Sequence, residues 1–279
     1  MPNKPVVLVT GAAQRIGRAI ALHLGQQGWC VAVHYLKSAP GAQETVQLIR
    51  QHGGQAQAFA ADLSVEAEVE ALLPAVSRAL GPVAALVNNA SLFEFDDVPG
   101  FSYACMERHW RANTAAPIVL ARALHRQLAP GVQGVVVNIL DQKLWNPNPD
   151  YLSYSLSKAA LEAANTALAQ ALAPRLRVCG VAPGVTLLSG TMSDEEFSRS
   201  HTMTPLQRSS TPQDVAQAVH YLLGARAVTG TTLLVDGGQH LQGQTRDVMF
   251  LARGDPDALS AATPAALAGP EGGMDKWLP

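Results

Sequence analysis

Cysteine is scarce in this chain: three in 279 residues, at positions 30, 105 and 179. An odd number of widely spaced thiols makes no disulfide framework, and a reducing cytoplasm is the expected compartment. Charge is also thin, at 15% of residues with a formal net charge of -2 and no run of Lys or Arg. That argues against nucleic acid or an anionic membrane as the main partner. No apolar run approaches the ~20 residues of a membrane span. The opening Met1-Pro2-Asn3-Lys4-Pro5 leads into a strand-like run without a signal-peptide pattern. The eight histidines are scattered and no Cys/His cluster has metal-ligand spacing, so no metal site is expected. Apolar residues make up 48% of the chain, an ordinary globular share. The length suits one large α/β domain or two small ones.

What is present centres on Tyr154-Ser155-Leu156-Ser157-Lys158. Tyr and Lys at i and i+4 share one face of a helix. Ala159 to Ala173 is rich in Ala and Leu and free of Gly and Pro, which predicts that helix. An ammonium beside a phenol favours the phenolate, so Lys158 is expected to lower the pKa of Tyr154 toward working pH and make it a proton donor.

The rest of the chain supplies a setting. Pro5 to Val9 reads as a buried parallel strand. Thr10-Gly11-Ala12-Ala13-Gln14-Arg15-Ile16-Gly17-Arg18 follows, then a helical pattern through Gln27. Strand, glycine turn and helix form a dinucleotide-binding context, with Gly11 tightening the turn, Gly17 allowing close packing, and the helix N-terminus facing a pyrophosphate. The second strand ends His34-Tyr35-Leu36-Lys37-Ser38, with no carboxylate until Glu44. An acidic residue there would bind the ribose hydroxyls of NAD. Cationic and hydroxyl groups instead, with Arg15 nearby, suit a 2′-phosphate, so NADPH is the expected cofactor.

Further along, helices are expected over 41–52, 65–80 (capped by Ser64), 101–128 and 212–223, and strands over 55–60, 83–87, 134–139, 177–181 and 231–235. Asp62 and Leu63 follow the third strand, where a side chain could contact the adenine. Asn88-Asn89-Ala90-Ser91-Leu92-Phe93 follows the fourth, where open α/β sheets bind ligands. Asn113 sits mid-helix, an unusual place for a poor helix former. A long polar loop is expected over 185–210. The alternation of strands and helices specifies one doubly wound parallel sheet. Residues 1–240 form this domain. From 241 to 279 the chain turns rich in Ala, Gly and Pro, an extension lying over a neighbouring surface or partly disordered, with Trp277-Leu278 as a docking element.

Thr10-Gly11-x-x-x-x-x-Gly17, Asn88-Asn89-Ala90, Asn113, Tyr154-x-x-x-Lys158 and Pro183-Gly184, in order over residues 5–240, resemble the short-chain dehydrogenase/reductase superfamily. The resemblance implies a single Rossmann-type sheet of about seven strands with helices on both faces. Two departures narrow it. Most members carry glycine where Arg15 stands and a catalytic serine where Asp141 stands. Together with His34-Tyr35, Asn-Ala-Ser-x-Phe at 89–93 and Pro205-Leu206-Gln207-Arg208, they resemble the pteridine reductase branch, which reduces dihydropterins, and in some members pterins and folates, with NADPH.

What the branch implies for this chain is as follows. NADPH delivers hydride to the pterin, and Tyr154 with Asp141 supplies a proton. Lys158 holds the nicotinamide ribose and Asn113 supports a water relay. Phe93 stacks on the pterin, and Ser91 contacts pterin or cofactor phosphate. Arg15, His34, Lys37 and Ser38 surround the adenosine phosphate, with Gly11, Ile16, Gly17, Tyr35, Asp62, Leu63, Asn89, Ala90, Pro183 and Gly184 completing the cofactor site. Phe197, in the polar loop, is a candidate lid residue over substrate.

Two other readings stand beside it. A carbonyl reductase of ketoacyl or sugar substrates keeps Tyr154 and Lys158 but needs a hydroxyl donor, and Ser153 points elsewhere on the helix. A cofactor-binding scaffold without turnover has no need of Asn113, Tyr154 and Lys158 together. Alanines at 159, 160, 163, 164 and 167 would permit close helix–helix approach, and with the family habit imply a homotetramer.

Overall fold

The structure is a computed structural model that describes residues 4–188 and 192–253. β1 (Val6–Val9) is wholly buried, as the β-branched run requires. Successive side chains alternate across a strand. Val7 and Val9 therefore enter one core layer, and Val6 and Leu8 the other. β2 (Cys30–Tyr35), β3 (Gln55–Ala60), β4 (Val83–Asn88), β5 (Gly134–Ile139), β6 (Leu176–Pro183) and β7 (Thr232–Val235) complete a parallel sheet in the order 3-2-1-4-5-6-7. Strand order reverses between β1 and β4, and ligands of doubly wound sheets bind outside the C-terminal ends of the strands at that point.

Helices cover both faces. α1 (Arg15–Gln26), α2 (Ala39–Gln51) and α8 (Pro212–Gly224) bury Ile20, Leu24, Ile49 and Leu222 on one side. α3 (Glu66–Leu80), α5 (Ala116–Gln127) and α6 (Leu152–Leu172) bury Leu73, Leu120, Leu124 and Ala169 on the other. Each buried leucine contributes roughly 2 kcal/mol of apolar burial.

Three expectations need correction. The predicted 101–128 helix is two helices, α4 (Tyr103–Trp110) and α5, joined by a π-helical turn, Arg111–Ala115, that carries Asn113. One wider turn re-aims a side chain without ending the helix, a device frequent at functional sites. The 185–210 loop contains α7 (Asp194–Thr202), opened by a capping box between Ser193 and Glu196. Its low hydrophobicity hid it, although Ser-x-x-Glu is the start signal for such a helix. Ser64 does not cap α3; it donates to Asp62 instead, at 2.7 Å.

The first part of the extension packs on the domain itself. Asn146 donates to the Gln242 carbonyl and accepts from the Gln244 amide, and α9 (Val248–Arg253) rests on α7. Trp277-Leu278 lies outside the described residues.

Candidate active site

A cavity of about 940 Å³ runs along the C-terminal ends of the strands. At one end lie Lys37, Ser38, Asp62 and Leu63, and at the other Phe93, Asp141, Tyr154 and Met249.

The glycine turn is built by mutual hydrogen bonding. Thr10 Oγ1 accepts from the amides of Asn89 and Ala90, and Asn89 Nδ2 donates to the Thr10 and Gly11 carbonyls. Gly11 adopts φ +62°, which glycine enters freely. At Gly17 a Cβ would lie 2.2 Å from the Gly11 carbonyl oxygen and 2.5 Å from Asn89 Nδ2, so only glycine fits. α1 then begins without a side-chain cap and without an acidic residue in its first turn. Gln14, Arg15, Ile16 and Gly17, at that helix start, border the cavity. A positive helix end left uncapped is an anion site. The uncapped end, the cations at Arg15 and Lys37, and a β2 end without a carboxylate fit a phosphorylated dinucleotide.

Arg15 takes φ +56°, the left-handed region that glycine occupies without strain. Its guanidinium donates to the Leu188 carbonyl at 2.8 Å, spanning from the glycine turn to the segment after β6. Tyr35, Ala90, Ser91, Pro183 and Gly184 also border the cavity.

His34 is placed differently. It is buried, its Nδ1 accepts from the Gly11 amide at 3.0 Å, and its Nε2 lies 3.0 Å from the Ala61 carbonyl. Accepting at Nδ1 and donating at Nε2 makes it a neutral imidazole, and burial lowers its pKa. With both nitrogens committed to backbone, it locks the glycine turn to the sheet and leaves none for a phosphate.

At the reacting end, Tyr154 Oη donates to Asp141 Oδ2 at 2.8 Å, and Asp141 Oδ1 accepts from the Lys143 amide at 2.9 Å. Lys158 Nζ donates to the Ile139 carbonyl at 2.7 Å and sits 5.8 Å from the Tyr154 ring centroid. The expectation that Lys158 lowers the phenol pKa is overturned in this arrangement. Burial, and then the Asp141 carboxylate, push Tyr154 well above its usual range. Burial also pushes Asp141 up, and brings Lys158 down to about 8. The phenol is thus a retained proton pointed at a carboxylate.

Asn113 does not border the cavity. Its Oδ1 accepts from the Leu92 amide at 2.7 Å, and its Nδ2 donates to the Leu92 carbonyl and to Ser157 Oγ. It therefore ties the segment carrying Ser91 and Phe93 to the Tyr154 helix. Phe93 stacks on Tyr151 at 4.3 Å and meets Tyr154 edge-on at 4.7 Å, with 42% of its surface exposed. Ser153 bonds Asp96, away from the cavity. Phe197 lies on α7 against His201 and is not among the cavity residues, whereas Met192 is. A helix in place of a loop turned the aromatic away.

Sequence reasoning missed Lys143, Gln244, Asp247, Val248 and Met249, all of which border the cavity. Val248-Met249-Phe250-Leu251, an apolar run within the Ala-, Gly- and Pro-rich extension, is the available signal, but its destination is a tertiary fact.

The family described as enoyl-(acyl carrier protein) reductase matches residues 11–240. This chain is a short-chain dehydrogenase/reductase, an oxidoreductase. An uncharacterized oxidoreductase, YgfF of Escherichia coli, is 35% identical over 246 residues, covering 84% of this chain and 99% of that protein. FolM alternative dihydrofolate reductase 1 from Brucella suis, in complex with NADP, is 41% identical with a TM-score of 0.83, over 88% of this chain and 99% of that one. The angucycline C-6 ketoreductase LanV, with bound NADP, is 28% identical with a TM-score of 0.77, over 85% and 96%. The short-chain dehydrogenase/reductase fold accommodates both chemistries, so the site must discriminate between them.

Proposed function

We propose that this enzyme reduces a dihydropterin, with folate as a related substrate, using NADPH. The observation that carries the reading is the 2.8 Å hydrogen bond from Tyr154 to Asp141. A carbonyl reductase uses a hydroxyl to donate to the substrate oxygen. A carboxylate suits a pterin instead, whose ring nitrogens and amino group donate to it and take a proton beside it. Phe93, half-exposed at the edge of Tyr154, offers an aromatic face for the ring. Likeness to a FolM dihydrofolate reductase supports the same reading.

NADPH supplies the hydride. The glycine turn and the uncapped start of α1 hold its pyrophosphate, while Arg15, Lys37 and Ser38 take the 2′-phosphate. Lys158 takes a ribose hydroxyl. Tyr154 would release its proton to the substrate, and Asp141 orients that phenol. Asn113 acts by holding Leu92, and so Phe93, against the Tyr154 helix. A homotetramer in the cytoplasm is the expected form. Leu156, Ala159, Ala163 and Ala167 lie exposed along α6, ready for a second copy, and light scattering tests this.

The deciding assay is NADPH oxidation by the purified protein with dihydrobiopterin, dihydromonapterin, dihydrofolate and a panel of ketones. Turnover confined to pterins is expected. Turnover confined to ketones, as with the LanV ketoreductase, would overturn the pterin assignment and leave the fold intact.

A further inference from the structure

The turn after β5 is held at both ends. At its head, the Lys143 amide donates to Asp141 Oδ1 at 2.9 Å. At its tail, the Lys143 ammonium, 5% exposed, donates to the Asp150 carbonyl at 2.6 Å and pairs with Asp247 Oδ2 at 3.1 Å. The same ammonium lies 5.4 Å from the Tyr151 ring, which stacks on Phe93. Asp247 comes from beyond the domain's last strand, and its own position is over-determined. Its amide donates to Asp150 Oδ2 at 2.6 Å, its Oδ1 accepts from Met249, and the neighbouring Arg246 grips both Asp150 oxygens.

We propose that Asp247 is a positioning residue for the Asp141–Tyr154 couple and acts through Lys143. A buried ammonium must have a counter-charge. Asp247 supplies it at 3.1 Å. Without Asp247, the ammonium is left to Asp141, two residues back on the same turn and already within reach of its charge, because Asp150's carboxylate is held by Arg246. An ammonium drawn to Asp141 competes with the phenol for that carboxylate. The C-terminal segment thereby keeps Asp141 available to Tyr154, and so sets the geometry of the proton donor from outside the β-sheet.

The groups facing Asp141 are Tyr154 and Lys158 from α6, Lys143 from its own turn and Asp247 from the C-terminal segment. Lys143 draws the Asp141 carboxyl pKa down and Asp247 draws it up. Removing Asp247 and freeing Lys143 therefore act in one direction, toward an Asp141 that ionises more readily.

The inference rests on the pterin reading for its kinetic readout only. Full-length protein with ¹³C-carboxylate-labelled Asp allows Asp141 to be titrated by NMR, its signal assigned by loss in Asp141→Asn. Asp247→Asn should lower the Asp141 midpoint. It should also lower kcat with dihydrobiopterin by about ten- to hundredfold, the scale of a small misplacement of a reacting group. NADPH binding, followed by its fluorescence, should persist. Adding Lys143→Met to Asp247→Asn should return both midpoint and kcat toward the parent, which a merely structural contact would not do. An unchanged midpoint in Asp247→Asn, or a double variant no better than the single, overturns the proposal. If Asp247→Asn fails to fold, Lys143→Met alone decides: a raised Asp141 midpoint supports the coupling and an unchanged one defeats it. If the parent turns over no pterin, the substrate reading falls while the titration still judges Asp247.

Discussion

Tyr154 and Asp141 stand thirteen residues apart in sequence and 2.8 Å apart in space, phenol donating to carboxylate. Both are buried, and burial raises both pKa values. Tyr154→Phe deletes the donated proton and keeps the ring against Phe93. Its kcat should fall by about a hundredfold or more, the usual share of a general acid, while NADPH binding is unchanged. Stopped-flow turnover with parallel fluorescence titration of NADPH separates the two.

Asp141→Asn should trade activity for stability. Burial raises the Asp141 carboxyl above its ordinary value of 3.8, so the native state binds its proton more tightly than the unfolded chain does. Stability therefore falls as pH rises from 3.8 through the raised value, and the penalty is greatest above it. The neutral amide escapes it. The melting temperature should rise at about pH 7, and the gain should shrink at acid pH, where the parent is protonated. Asp141→Ser should lower pterin turnover and admit ketones.

Lys158 carries an alkaline signature. Burial lowers its pKa from 10.5 to about 8. A base held below its ordinary value loses its charge early, so the ammonium proposed to hold the ribose fades above about pH 8. kcat/KM should decline there. Lys158→Arg, charged at every accessible pH, should lower the rate and remove that limb. The pH–rate profiles of the two proteins check this.

Gly17→Ala should be severe, because its Cβ would meet the Gly11 carbonyl oxygen at 2.2 Å. Backbone, not a yielding side chain, blocks it. Overpacking of this kind costs about 1–3 kcal/mol. The displaced glycine turn should also weaken NADPH. Urea melts and fluorescence titration measure the two effects.

Arg15→Ala should weaken NADPH by about tenfold or more and NADH little, since a charge-assisted contact contributes about 1.5–3 kcal/mol. Equal losses for both would contradict a phosphate contact. Alanine keeps a Cβ at this left-handed position and loses the Leu188 contact, so the melting temperature should be unchanged or slightly lowered.

How much of this was legible beforehand varied with the physics. β1 and β5 are short β-branched runs buried on both faces, and such runs admit one interpretation. The glycine turn was legible because Gly11 and Gly17 are demanded by backbone geometry within one βα unit. The Tyr154–Lys158 spacing was legible because a helix converts i and i+4 into neighbours. α7 was missed because Phe197 is its single apolar residue, and the π-turn because one extra residue per turn leaves no mark on periodicity.

By itself, then, the sequence determined the local elements, the parallel sheet and the list of candidate side chains, since these follow from periodicity and short-range sterics. Tertiary structure decided how they act. It turned His34 from a phosphate contact into a clamp on the glycine turn, by giving both ring nitrogens backbone partners. It reversed the expected pKa shift of Tyr154, because desolvation and a carboxylate at 2.8 Å outweigh an ammonium placed 5.8 Å from the ring. It also brought Asp247 to Lys143 across 104 residues. Burial, and the direction from which a charge approaches, are properties of the packed molecule, and no local pattern encodes them.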